Sequence, residues 1–244
     1  MKNSILLIKN VNLKFRIYRH KNSSLKESIS NLLNSKIDKT YWDFHALKDI
    51  NLELFEGDRL GIIGKNGSGK SSLLKIISKV YQPNSGIAES NLKITPLLES
   101  QAAFNPEYTG RENIYLNGAI SGLSRLNIRK SLEDIISFSE IGDFIDIPVK
   151  NYSTGMYMRL AFAAATAFQP ELLIIDEIFL GGDYKFIEKG KKRLKKLINK
   201  SKGMIIVSHD HELLKELCNR FIWIDHGLIR EIGDSSIVDK YLNY

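Results

Sequence analysis

Two rhythms of apolar residues run along this chain. Residues 46–54 alternate apolar and polar positions, as a strand with one wet face does. Residues 172–175 and 204–207 are short continuous apolar runs, the pattern of parallel strands buried on both faces, and 59–63 reads as a third buried strand. Residues 5–11 and 13–17 predict two more strands joined by a turn. Helical patterns fall at 110–120, 127–136, 141–145, the Ala-rich 153–168, 213–218 and 235–242. Strands alternating with helices predict an α/β fold on a parallel sheet. Residues 18–42 break the pattern and read as an insertion: a polar, basic stretch, then a short amphipathic segment on Leu25, Ile29, Leu32 and Leu33. No internal repeat is visible.

One strand-to-helix junction carries chemistry. Gly64, Lys65, Asn66, Gly67, Ser68, Gly69, Lys70 and Ser71 satisfy every fixed position of the phosphate-loop pattern G-x-x-x-x-G-K-[ST]. A buried strand precedes them, and Ser72 leads into a helix. Glycines let the backbone curl so that successive N–H groups converge on one anion, and the helix N-terminus adds its positive dipole end. Lys70 would reach the β/γ-phosphates and Ser71 would ligate Mg²⁺. The loop therefore predicts a nucleoside triphosphate site.

Later strands end in matching groups. Asp176 and Glu177 close the apolar run at 172–175, at the strand end where open α/β sheets place ligands. Asp176 would hold Mg²⁺ and Glu177 would activate the attacking water; helix capping is the plainer alternative for such a pair. Ser208 and His209 end the next strand, with His209 32 residues after Glu177, in reach of a γ-phosphate or its water. Tyr152, Ser153, Thr154, Gly155 and Met156 open a helix, and Ser153 lies 23 residues before Asp176. A Ser-x-Gly turn at a helix start is a second anion site. A head-to-tail dimer would let each chain's second turn close on its partner's nucleotide.

With these motifs in this order, the chain resembles the ATP-binding cassette (ABC) family over about residues 5–232. Residues 64–71 match Walker A, the run ending in Asp176 and Glu177 matches Walker B, Tyr-Ser-Thr-Gly-Met is similar to the signature, and His209 to the switch histidine. The form of that signature, together with Phe104 to Ile114, resembles the subgroup exporting O antigen, capsule and teichoic acid. The resemblance implies an ABC cassette of the P-loop NTPase fold: a mostly parallel core sheet, an antiparallel β subdomain, a helical subdomain at about 107–168, and a short extension at 233–244. It further implies a homodimer binding ATP and Mg²⁺, paired with two copies of a membrane-spanning permease at the cytoplasmic face of the inner membrane. The cargo would be a lipid-linked glycan, without a C-terminal carbohydrate-binding domain to recognise it. The Mg²⁺-sensing glutamine position falls on Glu99, with Gln101 the alternative; Asp183 follows Gly181 and Gly182 in the dimer-interface loop. The adenine-stacking aromatic is assigned to Phe15, with Tyr18, Tyr41 and Trp42 as rivals and core packing as the alternative for each.

Composition narrows the partners. The chain has 244 residues, 43% of them hydrophobic, with one cysteine and a net charge of +7. No apolar stretch is long enough to span a membrane. The basic balance suits a phosphorylated ligand, anionic lipid or nucleic acid. Arg16, Arg19, His20, Lys21 and Lys26 could touch the phosphate of a lipid-linked glycan or an anionic headgroup, or simply form an exposed loop. The lysine run at 189–202 reads as a solvated helix face. The rival readings are the ATPase of another ABC transporter, such as an importer, and a nucleic-acid-directed ATPase. Importers usually keep the LSGGQ signature and a clear glutamine loop, and neither tandem cassettes nor a long coiled coil is present, so no nucleic acid is expected.

Overall fold

The computed structural model describes residues 3–18, 41–98, 104–176 and 183–244. β1 (Ser4–Tyr18) lies between β2 (Tyr41–Phe55) and β4 (Ser85–Ser90) in an antiparallel three-stranded sheet. The two strands expected at 5–17 are one strand. The break between them is a bulge: Asn10 takes a left-handed φ of 51°, and the register shifts between Ile8 and Val11 and again on either side of Leu13. Asparagine side chains satisfy the backbone there. Asn10 N–H donates to Asn51 Oδ1 (2.9 Å), and Asp49 N–H donates to Asn12 Oδ1 (3.0 Å). The hairpin continues to Tyr18 opposite Tyr41, so both ends of the expected insertion belong to the ladder. Its remainder, with the amphipathic segment, lies outside the described residues.

The second sheet has the order β5-β6-β7-β3-β8-β9. Its strands are β3 (Arg59–Ile63), β5 (Ile94–Leu98), β6 (Leu172–Asp176), β7 (Gly203–Val207), β8 (Arg220–Asp225) and β9 (Leu228–Gly233). All neighbours pair in parallel except β9, which returns antiparallel to β8 through His226 and Gly227. Every residue of β7 is buried, as its unbroken apolar run requires. α1 (Lys70–Ile77) packs Leu73, Leu74, Ile76 and Ile77 into the core shared by the two sheets. Each such fully buried side chain stabilises the fold by about 1.5–3 kcal/mol. On the other face, α5 (Tyr184–Lys200), α6 (His211–Leu217) and α7 (Ser236–Leu242) cover Leu173, Ile175, Ile206 and Trp223.

A separate apolar cluster organises the helical part. α2 (Gly110–Ile120) starts at a capping box: Thr109 Oγ1 accepts from Glu112 N–H while the Glu112 carboxylate accepts from Thr109 N–H. α3 (Arg125–Ser139) follows from Ser124, and two 3₁₀ turns (Gly142–Asp146, Val149–Asn151) lead to α4 (Thr154–Ala165). The 141–145 pattern is thus a 3₁₀ turn. α4 ends before the expected 168 because the Thr166 hydroxyl donates back to Phe162 O (2.7 Å) and Pro170 is close behind.

Candidate functional site

The loop between β3 and α1 is shaped by a glycine that admits nothing larger. Gly64 has φ 151°, and a Cβ there would lie 2.2 Å from the Ile224 carbonyl oxygen. The chain curls back through Ser68 N–H, which donates to Lys65 O (3.1 Å). Lys70, the first residue of α1, is buried, and its ammonium donates to Gly64 O (2.7 Å) and Lys65 O (3.0 Å). Those bonds hold the cation across the mouth of the loop. Ser68 Oγ is buried and, among the described residues, has no hydrogen-bond partner. The N-cap of α1 is Gly69, with no side-chain cap and no acidic residue in the first turn, so the helix start is left to an external anion.

Three parallel strands bring the other groups to this loop. A cleft of about 220 Å³ is lined by Asn66, Gly67, Gly69, Lys70, Ser71 and Ser72, and across from them by Asp176 and His209. Asp176 ends β6, while His209 lies two residues past the end of β7. The turn carrying His209 is fixed on both sides: Ser208 Oγ accepts from Asp210 N–H (3.1 Å), and the Asp210 carboxylate caps α6 by accepting from Leu213 N–H (3.0 Å). Cap and exposed histidine are therefore neighbouring features of one turn. Burial holds the adjacent His211 below the ordinary imidazole value, with His209 adding to the shift.

Mg²⁺ fits this donor set. Ser71 and Asp176 offer hard oxygen donors in the same cleft. Among the described residues no cluster of three or more His, Cys, Asp or Glu could cage a metal. A cation held there takes its remaining oxygens from phosphate and water, which is how Mg²⁺ prefers to bind.

The other expected residues take different positions. Phe15 packs its ring against Tyr81 (centroids 5.5 Å apart), and no wall of the cleft includes it. The aromatic that does line the cleft is Phe44, opposite Phe15 in the ladder. The sequence reading missed it, although its cross-strand position from Phe15 was the available signal. Tyr18 packs on Tyr41, and Trp42 on Phe44. Arg16 is engaged locally, bonded to Asp43 (3.3 Å) with its guanidinium 4.0 Å from the Tyr41 centroid.

Tyr152 anchors the second turn: its hydroxyl donates to Phe144 O (2.5 Å), and burial pushes its pKa up to about 12. Ser153 caps α4 by accepting from Met156 N–H (3.2 Å), and Met156 packs on the helical cluster. Ser153 and Thr154 face solvent, and a Cβ on Gly155 would meet only Ser153 Oγ, at 4.0 Å. The bend is thus an open helix start rather than an internal turn. Asp183 caps α5, accepting from Phe186 N–H (2.9 Å). Glu99, Gln101, Glu177, Gly181, Gly182, Arg19, His20, Lys21 and Lys26 lie outside the described residues.

Comparison with known proteins gives this arrangement a family. The ABC transporter family profile matches residues 47–179. The O-antigen export system ATP-binding protein of Myxococcus xanthus is 46% identical over 79% of this chain, which spans only 44% of that protein. The Klebsiella pneumoniae protein of the same name is 34% identical over 97% of both chains. The teichoic acids export ATP-binding protein of Shouchella clausii is 36% identical over 99% of this chain and 66% of its own length. Among solved structures, a dimeric ATP-binding cassette bound to ADP and phosphate superposes with a TM-score of 0.68 at 23% identity, covering 95% of this chain and 99% of that one. An ATP-binding subunit of an ABC transporter gives 0.72 at 20% identity, over 98% and 93%.

Proposed function

The chain belongs to the ABC transporter family, and on that premise we propose that it is the ATP-hydrolysing subunit of an exporter of lipid-linked polysaccharide, of the O-antigen, capsule or teichoic acid type. The observation that carries the reading is the gathering of Lys70, Ser71, Asp176 and His209 around one cleft, with the 153–155 bend open to solvent elsewhere on the surface. The names of the relatives, O-antigen and teichoic acid export proteins, support the cargo class.

The loop N–H groups and Lys70 hold the triphosphate and offset the charge that develops on it. Residues 64–72 would wrap the phosphates, and Ser71 and Asp176, with Glu99 as the third expected ligand, would hold Mg²⁺, which would supply further charge neutralisation when bound. Glu177 takes the proton of the attacking water, and His209 orients that water on the γ-phosphate. Ser153, Thr154 and Gly155 of a second copy complete the site, with Asp183 beside them at the shared surface. A membrane-spanning permease, contacted at the cytoplasmic face, converts closure and reopening of the pair into transport. Coupling requires ATP to bind the closed pair more tightly than the open one.

Glu177→Gln tests the reading. The variant is expected to bind ATP and to dimerise in its presence while turnover falls by two orders of magnitude or more, about the scale of losing a general base. Normal turnover would remove Glu177 from that role. The transport half is tested by isolating the protein from membranes. Recovery with a multi-span permease and loss of surface glycan on deletion are expected; a soluble monomer and an unchanged glycan would overturn it.

A further inference from the structure

A second cleft, of about 490 Å³, lies between the helical part and α5. Its walls are Asp134 and Phe138 of α3, Thr166 and Gln169 after α4, and the α5 face carrying Lys189, Lys192, Arg193, Lys196 and Lys200. Five cations meet one carboxylate there. Two of the cations are built into the fold. Lys189 bonds Glu140 (2.7 Å) and Phe138 O (3.1 Å). Arg193, with only 15% of its side chain exposed, bonds Asp134 (2.5 Å) and Thr166 O (3.3 Å) and stacks on the Phe138 ring (4.3 Å).

The remaining three differ. Lys192, Lys196 and Lys200 recur every fourth residue, so they form one stripe, about 6 Å apart along the helix. All three are exposed, and among the described residues none of them has an ionic or hydrogen-bonding partner. Lysines on the other faces of the helix are paired, Lys191 with Glu188 (3.4 Å) and Lys195 with Glu216 (3.4 Å), and beyond its end Lys202 pairs with Glu171 (3.1 Å). The helix therefore balances its charge on its other faces and leaves it unbalanced in the concave one. An ordinary solvated face would not sort its pairs in this way.

We propose that this cleft is a binding site for an anion carrying two or more phosphoryl groups, separate from the nucleotide cleft. Ammonium groups one helical turn apart match successive phosphoryl groups as point charges, and Arg193 behind them is already locked in place. The concavity favours a ligand that enters over a flat surface that only touches. Because the walls come from both the helical part and the core, an anion here ties α5 to the segment leading into β6. The site stands whether or not the chain exports a glycan. Two sources share this chemistry: a free polyphosphate and a lipid headgroup carrying two or more phosphates.

The test titrates inorganic tripolyphosphate into the full chain with ADP in saturating excess, which keeps the phosphate loop occupied. In parallel, the chain is floated with cardiolipin-containing vesicles, whose headgroup carries two phosphates. Lys192→Glu/Lys196→Glu is compared with Lys191→Glu/Lys195→Glu, which makes the same change in net charge on the paired faces. The proposal expects a loss of at least tenfold in the first variant and little change in the second. A selective loss in the titration assigns a free polyphosphate, and one seen only in flotation assigns a headgroup. Equal losses in both variants, a greater loss in the control, or no binding in either assay would overturn the proposal.

Discussion

Gly64 and Gly67 sit three residues apart in one loop, yet a methyl group added at each meets different surroundings. At Gly64 it would press on the Ile224 carbonyl 2.2 Å away, and backbone must move. At Gly67, with φ 78°, it meets no atom within 4 Å and incurs only the left-handed backbone cost, about 1–2 kcal/mol. Gly64→Ala is therefore expected to lower the melting temperature clearly and abolish nucleotide binding, by distorting the end of β8 as well as the loop. Gly67→Ala is expected to fold with a smaller loss of stability and still bind ATP poorly, because its methyl points into the cleft. Equal melting curves for the two variants would show that the clash at 64 is absorbed. The adenine contact is also a matter of single residues. Phe44 lines the cleft and Phe15 does not. If the base stacks on Phe44, Phe44→Ala weakens ATP binding by about 1–3 kcal/mol, the scale of a base–aromatic stack. Phe15→Ala should then act on stability through its contact with Tyr81. A larger affinity loss at Phe15, measured by nucleotide titration with stability controlled, would return the contact to the residue the sequence favoured.

Among the elements, α4 is where stability and proposed chemistry share one side chain. Ser153 caps the helix, and removing such a cap costs about 0.5–2 kcal/mol. Aspartate caps equally well, so Ser153→Asp should melt near the wild-type temperature. Its carboxylate would nonetheless stand where the partner's phosphate must come, and hydrolysis should fall to background. Retained ATPase activity in a stable Ser153→Asp chain would show that the turn does not meet nucleotide. The start of this helix was legible because a Ser at N-cap and the apolar run behind it are local signals. So was α2, read at 110–120 and found at Gly110–Ile120, since its capping box is written in Thr109 and Glu112. The edges of the sheets were not legible in the same way. β5 and β9 lack an apolar run of their own and owe their place to a neighbour that pairs with them. The bulge at Asn10 resembles a turn in sequence, because the asparagines that hold it there also favour turns; only Asn51, 41 residues away, distinguishes the two. Phe44 was missed for a related reason, as cross-strand register rather than local sequence puts it at the cleft.

For the whole molecule, the question is whether one chain can make a working site. The loop and the 153–155 bend belong to different subdomains, one on the parallel sheet and one on the helical cluster. If a site takes its loop from one copy and its bend from the other, defects in the two parts must complement each other between chains. Lys70→Ala spoils the loop but leaves the bend intact; Ser153→Asp does the reverse. Each alone is expected to be inactive, because every site in its homodimer contains the spoiled part. Mixed in equal amounts with ATP, half the dimers should be mixed pairs. In each pair one site carries both defects and the other carries none, so about a quarter of all sites become whole. Hydrolysis in the mixture should rise above that of either variant alone if one whole site suffices for turnover; if turnover needs both sites at once, nucleotide trapping alone should rise, because no mixed pair holds two whole sites. A site built within a single chain gives a different result. Each chain then carries its own defect whatever its partner, and mixing restores neither hydrolysis nor trapping. That outcome would return the exposed bend to a purely structural role and leave the nucleotide cleft as the property of one subunit.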